Sequence, residues 1–259
     1  MFNIRTIDLR KFNSITKYPS IPTYHTIDPK SGVLAEPTIE FEGDVFTSEK
    51  IDGSNSRVIL FGTEYIIGSR NDLLFYCNDL LHLPTESIVD TVRPMADMIP
   101  IGSHDTLIVL YMESYGKGIC GKAGKAYSTK GTSYRMFDAL EIPMDAVHGL
   151  LELPLEEISR WRDKGGQAFA SVARLSELSG KLGIPLTPQL PTTWTGETMP
   201  KGIDETLDAL KAILPSTMAS IDESAMGKAE GIVVRTAERK TIAKLRFQDY
   251  ERTIRKRGI

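Results

Sequence analysis

Residues 50–71 read Lys50-Ile51-Asp52-Gly53-Ser54-Asn55-Ser56-Arg57-Val58-Ile59-Leu60-Phe61-Gly62-Thr63-Glu64-Tyr65-Ile66-Ile67-Gly68-Ser69-Arg70-Asn71, and the fold turns on this stretch. Apolar runs at 57–61 and 64–67 flank Gly62-Thr63, where glycine supplies the positive φ of a tight turn, so a β-hairpin is predicted. The hairpin is entered straight from Lys50-Ile51-Asp52-Gly53 and left through Gly68-Ser69-Arg70-Asn71.

Outward from the hairpin, residues 1–45 hold Pro19, Pro22, Pro29 and Pro37 and read as irregular chain with short strands. Residues 78–98 read as a helix, with Leu80, Leu81 and Leu83 leading in and Ile88, Val92, Met95 and Met98 at roughly helical spacing. Strands are predicted at 107–113 and 134–140. Helical periodicity follows over 151–183, broken at Gly165-Gly166, then a proline-rich connector at 185–200 and a helix around 204–214. The last strands are predicted at 231–235 and 241–247. Helices interrupt a mainly antiparallel set of strands rather than alternating with each one, so the class is α+β and a doubly wound sheet is disfavoured.

Composition narrows the function classes. The 259 residues are 41% apolar and 25% charged, ordinary for a globular protein. Cys77 and Cys120 have no paired spacing, which argues against a disulfide scaffold or structural zinc and fits a reducing compartment. The first residues lack a signal peptide's apolar core and no apolar run reaches membrane-spanning length, so a cytoplasmic protein with no membrane partner is expected. A net charge of −3 argues against nonspecific coating of nucleic acid, but local potential governs an enzyme's binding. Two segments are locally basic: 114–135, with Lys117, Lys122, Lys125, Lys130 and Arg135, and the C-terminal stretch from Lys240 to Arg257. Either segment taken alone reads as a solvated face.

One motif is a decoy. Residues 116–122, Gly-Lys-Gly-Ile-Cys-Gly-Lys, fit the spacing of a P-loop, yet Ala123 stands where a hydroxyl would hold magnesium. Gly124 and Gly131 make a poor helix, so the helix N-terminus that cradles phosphate is missing.

The stronger signal is an ordered set. Lys50-Ile51-Asp52-Gly53 is followed by Ser69-Arg70-Asn71, Glu113-Ser114-Tyr115-Gly116, Met136-Phe137-Asp138, Glu230-Gly231-Ile232-Val233-Val234-Arg235 and Ala243-Lys244-Leu245-Arg246. In this order and spacing the elements resemble the covalent nucleotidyltransferase superfamily of DNA ligases, RNA ligases and mRNA capping enzymes. Within it the chain looks most like ATP-dependent RNA ligases of the RNA ligase 2 type, through the form of the Glu113 motif, the Phe137-Asp138 pair and Tyr18-Pro19-Ser20-Ile21. The resemblance covers 50–246. It implies an adenylation (nucleotidyltransferase) domain built on antiparallel β-sheets with flanking helices. The whole of 1–259 would be one such domain, with an N-terminal segment at 1–45 and a helical insertion at about 151–214.

Carried over residue by residue, the resemblance implies that Lys50 attacks the ATP α-phosphorus, expels pyrophosphate and holds AMP as a phosphoramidate. Such a lysine needs cationic neighbours or burial, because its free amine is protonated at neutral pH. Glu49 would lie near the adenine edge, and Asp52 and Gly53 would complete the turn that presents the lysine. Arg70 would contact the sugar or the incoming 5′-phosphate, Glu113 the ribose hydroxyls, and Phe137 would stack on adenine. Glu230 would bind or orient Mg2+ (or Mn2+), while Lys244 and Arg246 would neutralise the α-phosphate. RNA ligases of this type more often carry lysine at Arg246, and a planar fork is no point charge.

Simpler accounts exist for each residue. Phe137 in an apolar strand is normally core, Glu113 and Glu230 could be surface acids, and Lys244 with Arg246 could be one solvated strand face. Their order favours the enzyme. The expected reaction transfers AMP to a 5′-phosphate RNA end and seals it to a 3′-OH. The alternatives are a DNA ligase, a capping guanylyltransferase or a non-catalytic nucleic-acid-binding relative. The chain ends soon after Arg246, so no C-terminal OB-fold is expected, and a partner protein supplying RNA-binding surface stays an open expectation.

Overall fold

The computed structural model describes residues 4–77, 79–83, 87–99 and 103–258. From the N-terminus come α1 (Leu9–Thr16), β1 (His25–Ile27), β2 (Leu34–Thr38) and β3 (Val45–Lys50). Then follow β4 (Ser54–Phe61), β5 (Glu64–Ser69), β6 (Leu73–Tyr76), β7 (Asp79–Leu80), α2 (Ile88–Ala96), β8 (Thr106–Gly116) and β9 (Thr132–Pro143). Helices α3 (Met144–Glu152), α4 (Leu155–Asp163), α5 (Val172–Leu182) and α6 (Ile203–Ile213) lead to β10 (Gly231–Thr236), β11 (Ile242–Arg246) and α7 (Phe247–Arg257).

The hairpin at 54–69 forms around Gly62 at φ +53° and sits inside a six-stranded antiparallel sheet ordered β7-β6-β5-β4-β8-β9. Residues 57–61 are buried throughout because both faces of this sheet are covered. Ile59 and Phe61 pack with α1, α3 and α4, while Val58 and Leu60 pack with α2 and α5. Each such apolar side chain contributes roughly 1.5–3 kcal/mol. A three-stranded sheet, β11-β10-β3, has its own core of Ile232, Val234, Ala243 and Leu245 against α6, α7 and the β1–β2 ribbon. Two separately cored sheets leave a cleft between them.

Helix α1 is fastened by its C-terminal end. The carbonyls of Asn13, Ser14, Ile15 and Thr16 accept from Arg57 Nη1, Arg162 Nη1, Gln167 Nε2 and Tyr111 Oη, at 3.4, 3.2, 2.9 and 2.8 Å. These are the carbonyls a helix leaves without intrahelical donors.

Several sequence expectations are corrected. The segment 1–45 contains α1, whose N-cap Asp8 accepts from the amides of Arg10 and Lys11. Residues 79–80 pair with β6 as a strand, so the helix expected over 78–98 is confined to Ile88–Ala96; residues 78 and 84–86 lie outside the described residues. Helix begins at Met144, ahead of 151, and the last part of the basic C-terminal stretch, Phe247–Arg257, is α7. The glycine-rich 116–126 segment makes only a 3-10 turn at Ala123–Ala126. Among the described residues no helix is long and apolar enough to cross a membrane.

Candidate active site

A cleft of about 540 Å³ opens between the two sheets. Its first wall follows from strand pairing. Ser48, Val233 and Lys244 stand side by side across the three strands, and Lys50, Gly231 and Arg246 form the next row. Residues directly opposite share a face, and alternation places both rows on one side of the sheet. Ser48, Lys50, Val233 and Lys244 line the cleft.

At the end of β3, Lys50 Nζ donates to Glu230 Oε2 at 2.6 Å, with both side chains largely buried. Glu230 immediately precedes β10, and burial raises its carboxyl above the ordinary range against the pull of Lys50. The turn that presents the lysine is anchored from below: Ile51 packs with Tyr115, Tyr127 and Ala219, and the Asp52 amide donates to Tyr127 Oη at 2.6 Å. Gly53 is required by close approach. A Cβ there would lie 2.3 Å from the Ser114 carbonyl oxygen and 2.9 Å from Glu113 Cγ.

The second wall belongs to the six-stranded sheet. Glu113 pairs with Asn55 across β8 and β4, and both line the cleft. Glu113 Oε1 accepts from the Gly53 amide at 3.2 Å, and burial pushes its carboxyl up to about 8 against the field of Lys50. Asn55 was not singled out in the sequence, yet its Oδ1 is buried with no hydrogen-bond partner among the described residues. Phe137 reaches the cleft through a register break: Tyr111 pairs with Asp138 and Met112 with Met136, so Phe137 is the extra residue of a β-bulge. Bulges of this kind re-aim a side chain. Its ring is half-buried and meets Tyr18 edge-on at 5.1 Å.

Three of the expected residues, Glu49, Arg246 and Arg70, also hold other groups. Glu49 borders the cleft but pairs with Ile232, so its side chain sits on the core face; its carboxylate accepts from Thr217 Oγ1 and, at 2.8 Å, from the Met218 amide. In that geometry the Glu49 carboxylate holds the 217–219 segment. Arg246 shares the face of Lys50, yet its fork is taken by Asp249 at 2.7 and 3.1 Å, so it contributes field more than a free pair of donors. Lys244 has no such partner, and burial, Arg246, Lys50 and Arg70 all push its pKa down. Arg70 lines the far end of the cleft and donates to Ser20 Oγ at 2.8 Å.

A family model described as RNA ligase matches residues 43–247. No curated protein matches the chain. Among solved structures, a lysine-to-methionine mutant of the Naegleria gruberi RNA ligase with AMP and Mn aligns at TM-score 0.50 and 13% identity, covering 90% of this chain and 62% of that one. An apo lysine-to-alanine mutant of the same ligase aligns at TM-score 0.50 and 15% identity, with the same coverage. Identity this low speaks for the fold, and the chain spans 62% of the length of these solved proteins. The family match covers most of the chain and contains the cleft residues Lys50, Glu113, Phe137 and Lys244, so the chain belongs to the RNA ligase family.

Proposed function

We propose that the chain is an ATP-dependent RNA ligase of the RNA ligase 2 type, and that 1–259 acts as one nucleotidyltransferase unit. Lys50 takes AMP from ATP, passes it to an RNA 5′-phosphate, and the end is sealed to a 3′-OH. The observation that carries this reading is the Lys50–Glu230 pair at 2.6 Å, with Lys50 on the wall of a cleft that also offers Lys244, Glu113 and Phe137. As the Nζ–Pα bond forms, the bond from Pα to the bridging oxygen breaks and pyrophosphate leaves with the electron pair. The Lys50 ammonium sheds two protons in all: Glu230 Oε2, at 2.6 Å, is placed to take the one that frees the lone pair, and the second leaves to solvent once the N–P bond has formed. Lys244 offsets charge on the α-phosphate, where preorganised cations are most effective. Glu113 and Asn55 present acceptors suited to ribose hydroxyls, and the bulged Phe137 presents a ring to the base.

The donor set also fits a divalent cation. Among the described residues no three His, Cys, Asp or Glu side chains form a ready-made cage. Mg2+ commonly takes one or two carboxylates and fills its shell with water and phosphate oxygens. Glu230 is the residue to hold it, and when bound the ion would neutralise charge on the transferring phosphoryl group. The presence of AMP and Mn in the Naegleria ligase supports this reading.

The test is incubation with labelled ATP or GTP and magnesium, followed by denaturing electrophoresis. The unaltered chain should retain an acid-labile AMP label, and Lys50→Ala should lose it completely. Label persisting in Lys50→Ala would place the nucleophile elsewhere, and labelling by GTP alone would turn the reading to a guanylyltransferase.

A further inference from the structure

Next to the cleft, and sharing Tyr18 and Arg70 with it, lies a second hollow of about 430 Å³ reached by Lys17 and Arg162. For a chain of net charge −3 its surroundings are strongly cationic. Lys17, Arg70 and Arg162 line or border it, and Arg57, fully buried, adds its charge to theirs at Lys17. The carboxylates nearby are Asp72 and Asp163, both exposed, and Asp163 is paired with Arg162 Nε at 2.9 Å.

Helix capping explains part of this. Arg57 and Arg162 donate to the last carbonyls of α1, and Arg70 donates to Ser20. Capping does not explain Lys17. The residue is only partly exposed, and its ammonium has no hydrogen-bond or ion-pair partner among the described residues. Burial lowers its pKa, and Arg162, Arg57 and Arg70 lower it further, against Asp72. A cation held among cations in a partly desolvated place is destabilising unless an anion joins it.

We propose that this hollow is a phosphate-binding compartment that grips the RNA strand beside the adenylylation site. The proposal rests on the ligase reading for the identity of the strand. A phosphate there would accept from the Lys17 ammonium and from the guanidinium groups of Arg70 and Arg162. Continuity with the nucleotide cleft is electrostatic as well as spatial: Arg70 acts on Lys244 on one side and on Lys17 on the other. Cations therefore run from Lys50 through Lys244 and Arg70 to Lys17 and Arg162. A strand whose end reaches Lys50 would lay phosphate along that row.

The experiment compares the unaltered chain with Lys17→Glu and the charge-keeping Lys17→Arg. Binding of a short 5′-phosphate RNA and of its 5′-hydroxyl counterpart is followed by fluorescence anisotropy across a salt series, with a melting curve for each protein. Lys17→Glu should weaken RNA binding about tenfold or more, and one lost phosphate contact should flatten the log–log salt slope by about 0.7. Lys17→Arg should bind like the unaltered chain. A loss confined to the 5′-phosphate RNA assigns the compartment to the terminal phosphate; an equal loss for both RNAs assigns it to an internal phosphodiester. Should Lys17→Glu unfold, Lys17→Gln repeats the measurement without adding a charge. Equal RNA affinity in the charge-removing variant and the unaltered chain overturns the compartment. AMP labelling of the unaltered chain decides the ligase reading separately, so a chain that does not label but loses RNA affinity through Lys17→Glu keeps the compartment and loses the ligase.

Discussion

Glu113 shows how one residue couples function to stability. It is held at the floor of the cleft by the Gly53 amide, close to Asp52 and Glu230, with Lys50 as the opposing charge. Its carboxyl is pushed up to about 8, mainly by burial, from an ordinary value of 4.5. Between those values the native chain keeps a proton that the unfolded chain has released. The contribution of Glu113 to stability is therefore complete below about 4.5 and is lost as pH rises towards 8. Glu113→Gln keeps the shape and removes the titration. Its melting temperature should match the unaltered chain near pH 5 and exceed it increasingly up to pH 8.5, while AMP labelling falls because a ribose acceptor is lost. A melting difference that stays flat with pH would show that water in the cleft solvates the carboxylate.

At the scale of elements, alternation explains which site residues could be read from sequence. The stretch 241–247 already places Lys244 and Arg246 on one side and Ala243 and Leu245 on the other, and β11 keeps that division. The same alternation, counted back from Lys50, puts Glu49 on the core face; its partners Thr217 and Met218 are too remote in sequence to be read locally. The bulge at Phe137 was equally hidden, since it exists only in the pairing of β9 with β8. Helix α7 was legible and missed: Phe247, Tyr250 and Ile254 recur at helical spacing beneath the basic residues, and Asp249 stands in the first turn to receive Arg246 and Arg252. These differences separate two strand neighbours. Lys244→Ala should depress adenylylation by about 10²-fold with little change in melting, as for loss of one preorganised electrostatic donor. Arg246→Lys keeps the charge but loses the two-pronged contact to Asp249, so it should lower the melting temperature and spare more of the labelling. If the two variants exchange these phenotypes, the assignment of Lys244 to the phosphate and Arg246 to the fold is wrong.

For the whole molecule, the question is what holds the two sheets in register across an open cleft. Their apolar cores are distinct, so much of the answer is polar, and it centres on Asp138. From β9 of the larger sheet, this 1%-exposed carboxylate accepts from Arg235 Nη1 of β10 at 3.3 Å and from Arg239 Nε at 2.5 Å. It also accepts from Tyr18 Oη at 2.8 Å, beside the ring that meets Phe137. Arg239 lies in the β10–β11 turn at φ +54° and stacks 3.6 Å above the centre of Phe169, so the smaller sheet is clasped through its turn. Asp138 had no role in the sequence beyond its pairing with Phe137, because its partners come from two distant segments, one at Tyr18 and one at Arg235–Arg239. Removing one member of a buried ion pair strands the others without a counter-charge and typically costs about 3–5 kcal/mol. Asp138→Ala should therefore lower the melting temperature by at least about 6 °C, taking about 2 °C per kcal/mol for a chain of this size. Because the clasp joins the two sheets, calorimetry should also show the single transition broaden or split. Nucleotide should then restore less of the lost stability than it adds to the unaltered chain, since on the proposed reading ATP binds both walls at once. A variant that melts in one sharp step within about 2 °C of the unaltered chain would mean that the sheets are held by something other than this carboxylate.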